Sequence, residues 1–143
     1  MNTKKLKGFT LIEVLVVIAI IAILAAVTII ALNPAENIQD ARDTERNSEV
    51  TQILNGISQW IVDGGSITTL SLTACGSGTD NLGTGTGNID LTSQLTPTYM
   101  VAIPTDPQGG TDADTGYDIC DEGNDRVTIS APNAENGTIS VSR

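Results

Sequence analysis

The chain contains no histidine, one tryptophan, one phenylalanine and two tyrosines in 143 residues. Without histidine there is no His-based acid–base pair, no His-ligated metal and no Ser-His-Asp triad. So few rings exclude an aromatic platform for stacking nucleobases. Only two cysteines occur, Cys75 and Cys120, and their separation fits no metal-ligand spacing. In an exported domain such a pair reads as one disulfide closing a loop of about 45 residues, contributing on the order of 4 kcal/mol through the unfolded state. Two buried thiols are the other reading. Basic residues are scarce too, 7 Lys and Arg against 17 Asp and Glu, for a formal net charge of −10. Lys4, Lys5 and Lys7 all lie in the first eight residues, so the remainder is more acidic still. Phosphate contacts need Lys and Arg, so no direct nucleic-acid binding is expected from this acidic bulk.

What is present in quantity is one apolar run. From Val14 to Leu32 every residue is apolar except Thr28. As a helix these residues reach roughly 28 Å, close to the hydrocarbon thickness of a bilayer. The lysines on its N-terminal side place that end in the cytoplasm and everything after Leu32 outside. A secretory signal peptide is the competing reading, with Ile18–Ala26 as its apolar region and cleavage near Ala25-Ala26. The length of the run and the carboxylate of Glu13 at its start oppose it. Thr10-Leu11-Ile12-Glu13 has capping-box spacing, Thr10 as N-cap and Glu13 at N3. That explains why an acid is tolerated there, but Gln would cap as well. A charge at a membrane entry point is costly unless it is paired.

After the run, Asn33–Arg143 is enough chain for one small domain. Pro34 kinks or ends the first helix. Asn33-Pro34-Ala35-Glu36 also reads as a fresh start, with Asn33 at N-cap and Pro34 at N1, for a second helix over Pro34–Val62. Its first half is polar, and Arg42/Glu45, Asp43/Arg46 and Arg46/Glu49 have the spacing to pair weakly on a solvated face. Its second half carries an apolar stripe: Val50, Ile53, Leu54, Ile57, Trp60 and Ile61. Trp60 reads as a core anchor. Asp63-Gly64-Gly65 ends the helix.

From Ser66 to Thr98 the chain is rich in Gly, Thr, Ser and Asn, and Ile67–Leu72 has the look of a helical turn or an irregular strand. Gly83-Thr84-Gly85-Thr86-Gly87 lacks the strand, helix and lysine of a phosphate-binding loop and reads as a surface loop. Tyr99–Ile103 is a short apolar segment closed by the turn residues Pro104–Pro107. Three strand candidates follow, Thr115–Cys120, Arg126–Ala131 and Gly137–Ser142, the last two alternating cleanly. They predict a small antiparallel meander whose Val127, Ile129, Ile139 and Val141 face the helix stripe. A disulfide from Cys75 would pin the long loop to the first strand. The expected fold class is therefore α+β: a long N-terminal hydrophobic helix continuing into a globular head, where the C-terminal half of the helical region packs on a small antiparallel sheet. The segments are residues 1–8, 9–33, 34–63, 64–98 and 99–143.

Lys4-Lys5-Leu6-Lys7-Gly8-Phe9-Thr10-Leu11-Ile12-Glu13, followed by the run to Leu32, resembles the class III signal and N-terminal helix of the type IV pilin and pseudopilin superfamily. Pro97–Pro107 is similar, more weakly, to the segment before the sheet in short pilins and in major pseudopilins of type II secretion. The resemblance implies that residues 1–8 are a cleaved basic leader. A prepilin peptidase would cut between Gly8 and Phe9 and methylate the new amino group of Phe9. Glu13 would be the assembly residue, pairing with the Phe9 ammonium of a neighbouring copy. Implied partners are the chain itself in a helical homopolymer, related minor pilins, the peptidase, a cytoplasmic ATPase, a membrane platform protein and, before assembly, inner-membrane lipid. The implied location is the cytoplasmic membrane, single-pass with the N-terminus cytoplasmic and the head exported, and then an extracellular or periplasmic filament.

Major pseudopilins carry a calcium-supporting acidic loop in this part of the chain, so the resemblance also points to Asp106, Asp112 and Asp114 as calcium ligands. An acidic solvated turn is the plainer reading, and no other cofactor is expected. Asn136-Gly137-Thr138 fits a glycosylation sequon. A structural filament subunit, not an enzyme, is the leading reading. The alternatives are a pseudopilin of a type II secretion or competence system, and a non-polymerising single-pass membrane protein with an exported binding domain.

Overall fold

The computed structural model describes residues 8–143; the leader assigned to residues 1–8 lies outside the described residues except for Gly8. The chain forms two compact units, one ending at Ile38 and one spanning Gln39–Arg143.

In the first unit, α1 runs over Leu11–Leu32 and buries none of its residues. After Glu13 in the first turn, Thr28 is its one polar residue, and the Thr28 hydroxyl donates to the Ala25 carbonyl at 2.9 Å, which satisfies it within the helix. Asn33 closes α1 in a left-handed conformation, φ 38°. It also opens α2, which spans Pro34–Val62. The Glu36 and Asn37 amides donate to the Asn33 carbonyl at 3.1 and 3.3 Å, and Asn33 Nδ2 donates to Glu36 Oε2 at 2.7 Å. The expected helix start at Pro34 is present, but among the described residues the Asn33 side chain donates to Glu36 and does not accept a backbone amide. Asn37 Nδ2 donates to the Leu32 carbonyl at 2.6 Å, satisfying one of the α1 C-terminal acceptors.

In the second unit, the C-terminal half of α2 lies on a four-stranded antiparallel sheet of order β1-β2-β3-β4, with β1 Asp80–Asn81, β2 Asp118–Gly123, β3 Arg126–Ala131 and β4 Ile139–Ser142. Val50, Ile53, Leu54 and Ile57 from α2 share one core with Tyr117, Ile119, Val127, Ile129 and Ala131. Trp60, Ile61, Ile139 and Val141 pack at its edge, half-buried. A sheet of this size gains its stability from the helix laid across it. A 3₁₀ turn at Ile67–Leu70 and the short helix α3, Thr92–Leu95, add Ile67, Leu70 and Leu95 to the same core.

Three boundaries differ from the pattern-based expectation. The meander has a fourth strand, β1, whose two polar residues pair with Ile119 and Asp118. The strand expected at Thr115–Cys120 starts three residues later, because Gly116 at φ 77° breaks the extended run. Thr115 and Tyr117 instead clasp Leu82: the Thr115 amide donates to the Leu82 carbonyl at 2.9 Å, and the Leu82 amide to the Tyr117 carbonyl at 2.8 Å. The last strand starts at Ile139, not Gly137, because the residues before it dock on α2.

Candidate functional site

The N-terminal motif is presented openly. Gly8, Phe9 and Thr10 precede the helix and are exposed, Phe9 at 83%. Thr10 is the N-cap, in an extended conformation, and its hydroxyl accepts from the Glu13 amide at 3.3 Å. This is the forward half of the expected capping box; the Glu13 carboxylate makes no return bond to Thr10 among the described residues. Glu13 stands in the first turn, where the helix dipole favours an anion. Phe9 and Glu13 share the lining of one shallow depression of about 300 Å³ with Val14, Val17 and Ile18. An accessible Gly-Phe bond, a carboxylate within a turn of it and an apolar helix with nothing packed on it therefore lie together. An all-round apolar helix is stable only when something apolar surrounds it.

The head has its own polar centre, built around Arg46. Arg46 is completely buried. Its Nε donates to Asp106 Oδ2 at 2.7 Å and its Nη2 to Asp106 Oδ1 at 3.2 Å. The same Nη2 donates to Gln108 Oε1 at 2.7 Å, and Nη1 to Asp43 Oδ1 at 2.8 Å. Arg42, one turn earlier on α2, makes a two-point contact with Glu135 at 2.9 and 2.7 Å. Asp43 receives the backbone amides of Glu135, at 3.0 Å, and Asn136, at 2.7 Å. Two loops, one after Ile103 and one between β3 and β4, are thus held on α2 by the same three side chains.

The charges follow this geometry. Burial pushes Asp106 up, but the Arg46 hydrogen bonds outweigh it and the carboxyl lies below its ordinary value. Asp43 behaves alike, its desolvation outweighed by the amides of Glu135 and Asn136 and by Arg46. The Arg42 contact lowers Glu135. The Asp106 bond raises Arg46. Glu49 moves the other way: burial raises it, although the Tyr117 hydroxyl donates to it.

This corrects the solvated face expected for α2. Of the three pairs expected there, Asp43–Arg46 forms, while Arg42 pairs with Glu135 and Glu49 accepts from Tyr117. Position carried the missed signal, since Arg46 lies one turn before Val50 on the same helix face as the apolar stripe. The three aspartates suggested as calcium ligands are not gathered into one group. Asp106 is spent on Arg46 and on the Gln108 amide. Asp114 Oδ1 accepts from the Gly116 amide at 3.1 Å, and Asp112 is exposed. Among the described residues no cluster of three or more His, Cys, Asp or Glu side chains is placed to hold a metal ion. Cys75 and Cys120 do form a disulfide, with their Cα atoms 4.9 Å apart. Beside it the Cys75 amide donates to the Asp121 carbonyl at 3.0 Å, so the long loop is tied to β2. The Gly83–Gly87 segment is a loop whose backbone rests on Ala113, the Gly85 amide donating to the Ala113 carbonyl at 2.9 Å.

Residues 3–29 match the family described as the prokaryotic N-terminal methylation motif. The match takes in Lys4, Lys5, Lys7, Gly8, Phe9, Glu13 and most of α1, and none of the unit Gln39–Arg143. It is the signature of type IV pilins and pseudopilins. No curated protein and no solved structure matches the chain.

Proposed function

From a chain that carries the type IV pilin and pseudopilin signature, we propose a structural subunit of a type IV pilus-like filament. A prepilin peptidase releases it by cutting between Gly8 and Phe9 and methylates Phe9, and α1 drives its polymerisation. The observation that carries this reading is that α1, apolar from Val14 to Leu32 except at Thr28, buries nothing within its own chain. Such a surface needs lipid first and copies of itself later. In the membrane the subunit is single-pass, its lysine-flanked end cytoplasmic and its head exported. In the filament the Phe9 ammonium of one copy meets the Glu13 carboxylate of another. Either charge alone is expensive in hydrocarbon; together they are tolerable and favour one axial register. The head is a scaffold and carries no chemistry of its own.

Lysine composition makes the test clean. No lysine follows Lys7, so cleavage leaves the α-amino group of Phe9 as the single amine of the mature chain. Purified protein should show the mass of a methylated chain beginning at Phe9. An amine-reactive reagent should label that group in dissociated subunits and be blocked in intact filaments. Glu13→Gln should be processed and inserted normally and fail to assemble. An N-terminus at Met1, or normal filaments from Glu13→Gln, would defeat the proposal.

A further inference from the structure

Asn-Gly occurs twice, at Asn55-Gly56 and Asn136-Gly137. In this dipeptide no Cβ hinders the approach of the following amide nitrogen to the asparagine Cγ. The fold treats the two pairs in opposite ways. Gly56 is buried inside α2, with its amide in the helical hydrogen-bond ladder. Asn136 and Gly137 are exposed in the bend between β3 and β4, Gly137 at φ 142°. This loop is docked on α2 by the Arg42–Glu135 contact and by bonds from the Glu135 amide, the Asn136 amide and Asn136 Nδ2, none of which uses the Gly137 amide.

We propose that Asn136-Gly137 is a site of spontaneous deamidation that loosens the β3–β4 loop from α2 as the protein ages. The Gly137 nitrogen bonds to Asn136 Cγ and gives up its proton. The Cγ–Nδ2 bond breaks, and the amide nitrogen leaves with that proton as ammonia. One water then opens the cyclic imide to aspartate or isoaspartate; no oxidation or reduction is involved. The consequence follows from what Asn136 holds. Its Nδ2 donates to Asp40 Oδ1 at 2.7 Å, so the new carboxylate faces an existing one. Asp43, which accepts the Asn136 amide at 2.7 Å, adds a second like charge nearby. Isoaspartate also lengthens the main chain by one methylene between Asn136 Cα and Gly137. Because Asp43 bonds Arg46 at 2.8 Å, the damage reaches the polar centre of the head.

The test ages the purified full-length protein in detergent at mildly alkaline pH. Peptide mass spectrometry follows both Asn-Gly sites, and thermal unfolding is measured on the same samples. Asn136 should convert at least about tenfold faster than Asn55, whose neighbouring amide is reached only when the helix opens. The unfolding midpoint should fall in step with that conversion. Asn136→Asp should start with a lowered midpoint, and Asn136→Gln, whose longer side chain does not close a five-membered imide, should keep a constant mass. Equal rates at the two sites, a midpoint that holds while Asn136 converts, or a glycan occupying Asn136 in protein from its native host would each overturn the proposal.

Discussion

Arg46 shows how much one residue's context decides. Read along α2 it belongs to a run of alternating charges, and such runs are ordinarily solvated. In the fold it is fully buried with Asp106, whose side chain is 1% exposed, at 2.7 Å. Removing one member of such a pair leaves the other buried and uncompensated, at a cost of about 3–5 kcal/mol. The pair also sets how stability varies with pH. Asp106, Asp43 and Glu135 have folded values below their ordinary ones. Their contribution is present above the ordinary carboxylate range, about pH 4, and is lost as pH falls through the lowered folded values. Glu49 is raised, so its sign is reversed: its contribution is present in acid and lost as pH rises through its folded value. Melting curves against pH should therefore show an acid limb that Asp106→Asn flattens while lowering stability at neutral pH. Glu49→Gln keeps an acceptor for the Tyr117 hydroxyl and removes only the charge. It should raise the neutral-pH midpoint and leave the acid midpoint unchanged; a loss at neutral pH would contradict this account of Glu49.

At the scale of elements, what a strand or helix reveals in sequence depends on whether its pattern is local. β3 was readable because its faces alternate between core and surface, with Val127, Ile129 and Ala131 inward. β1 was not, because two polar residues have no period and take their conformation from the edge of β2. The start of β2 depended on Gly116 and on the clasp around Leu82, both products of tertiary contact. The partner of Asp106 was not legible for the same reason, since it answers to an arginine 60 residues away. The N-terminal motif, by contrast, is contiguous, and it could be recognised entire. The end of α2 was also local. Gly64 and Gly65 donate to the Ile61 and Trp60 carbonyls at 3.0 and 2.9 Å, the two bonds of a Schellman stop. The two glycines serve different needs. Gly64 stands at φ 100° in open space, whereas a Cβ on Gly65 would lie 2.3 Å from Trp60 Cε2. Gly64→Ala should cost about 1 kcal/mol through backbone strain and leave the fluorescence of the single tryptophan unchanged. Gly65→Ala should cost roughly 1–3 kcal/mol by overpacking, and must also displace the indole and shift its emission. The same emission from both variants would argue against the Trp60–Gly65 contact.

For the whole molecule the deciding fact is where burial begins. The buried hydrophobic and polar residues run from Arg46 to Ala131, all within the unit Gln39–Arg143. α1 supplies none of them. Its large side chains would each release about 1.5–3 kcal/mol on leaving water, whether into lipid or against other apolar helices, so the whole helix carries tens of kcal/mol of burial energy that folding of the head does not use. Folding and assembly are therefore assigned to different parts of one chain. Under the proposed function, the head would reach its native state in an aqueous compartment while α1 stays in lipid, and polymerisation would remove α1 from lipid without refolding the head. A fragment spanning residues 34–143 tests this division. It retains Pro34 at the first turn of α2, the complete core, the Arg46 centre and the Cys75–Cys120 bridge. It should be soluble and monomeric without detergent, and should unfold at the midpoint measured for the head in the detergent-solubilised full chain. The full chain, lacking that option, should need detergent, membrane or filament at every stage. A fragment that is unfolded would show that α1 completes the head, and one that polymerises in buffer would show that the head, not α1, drives assembly.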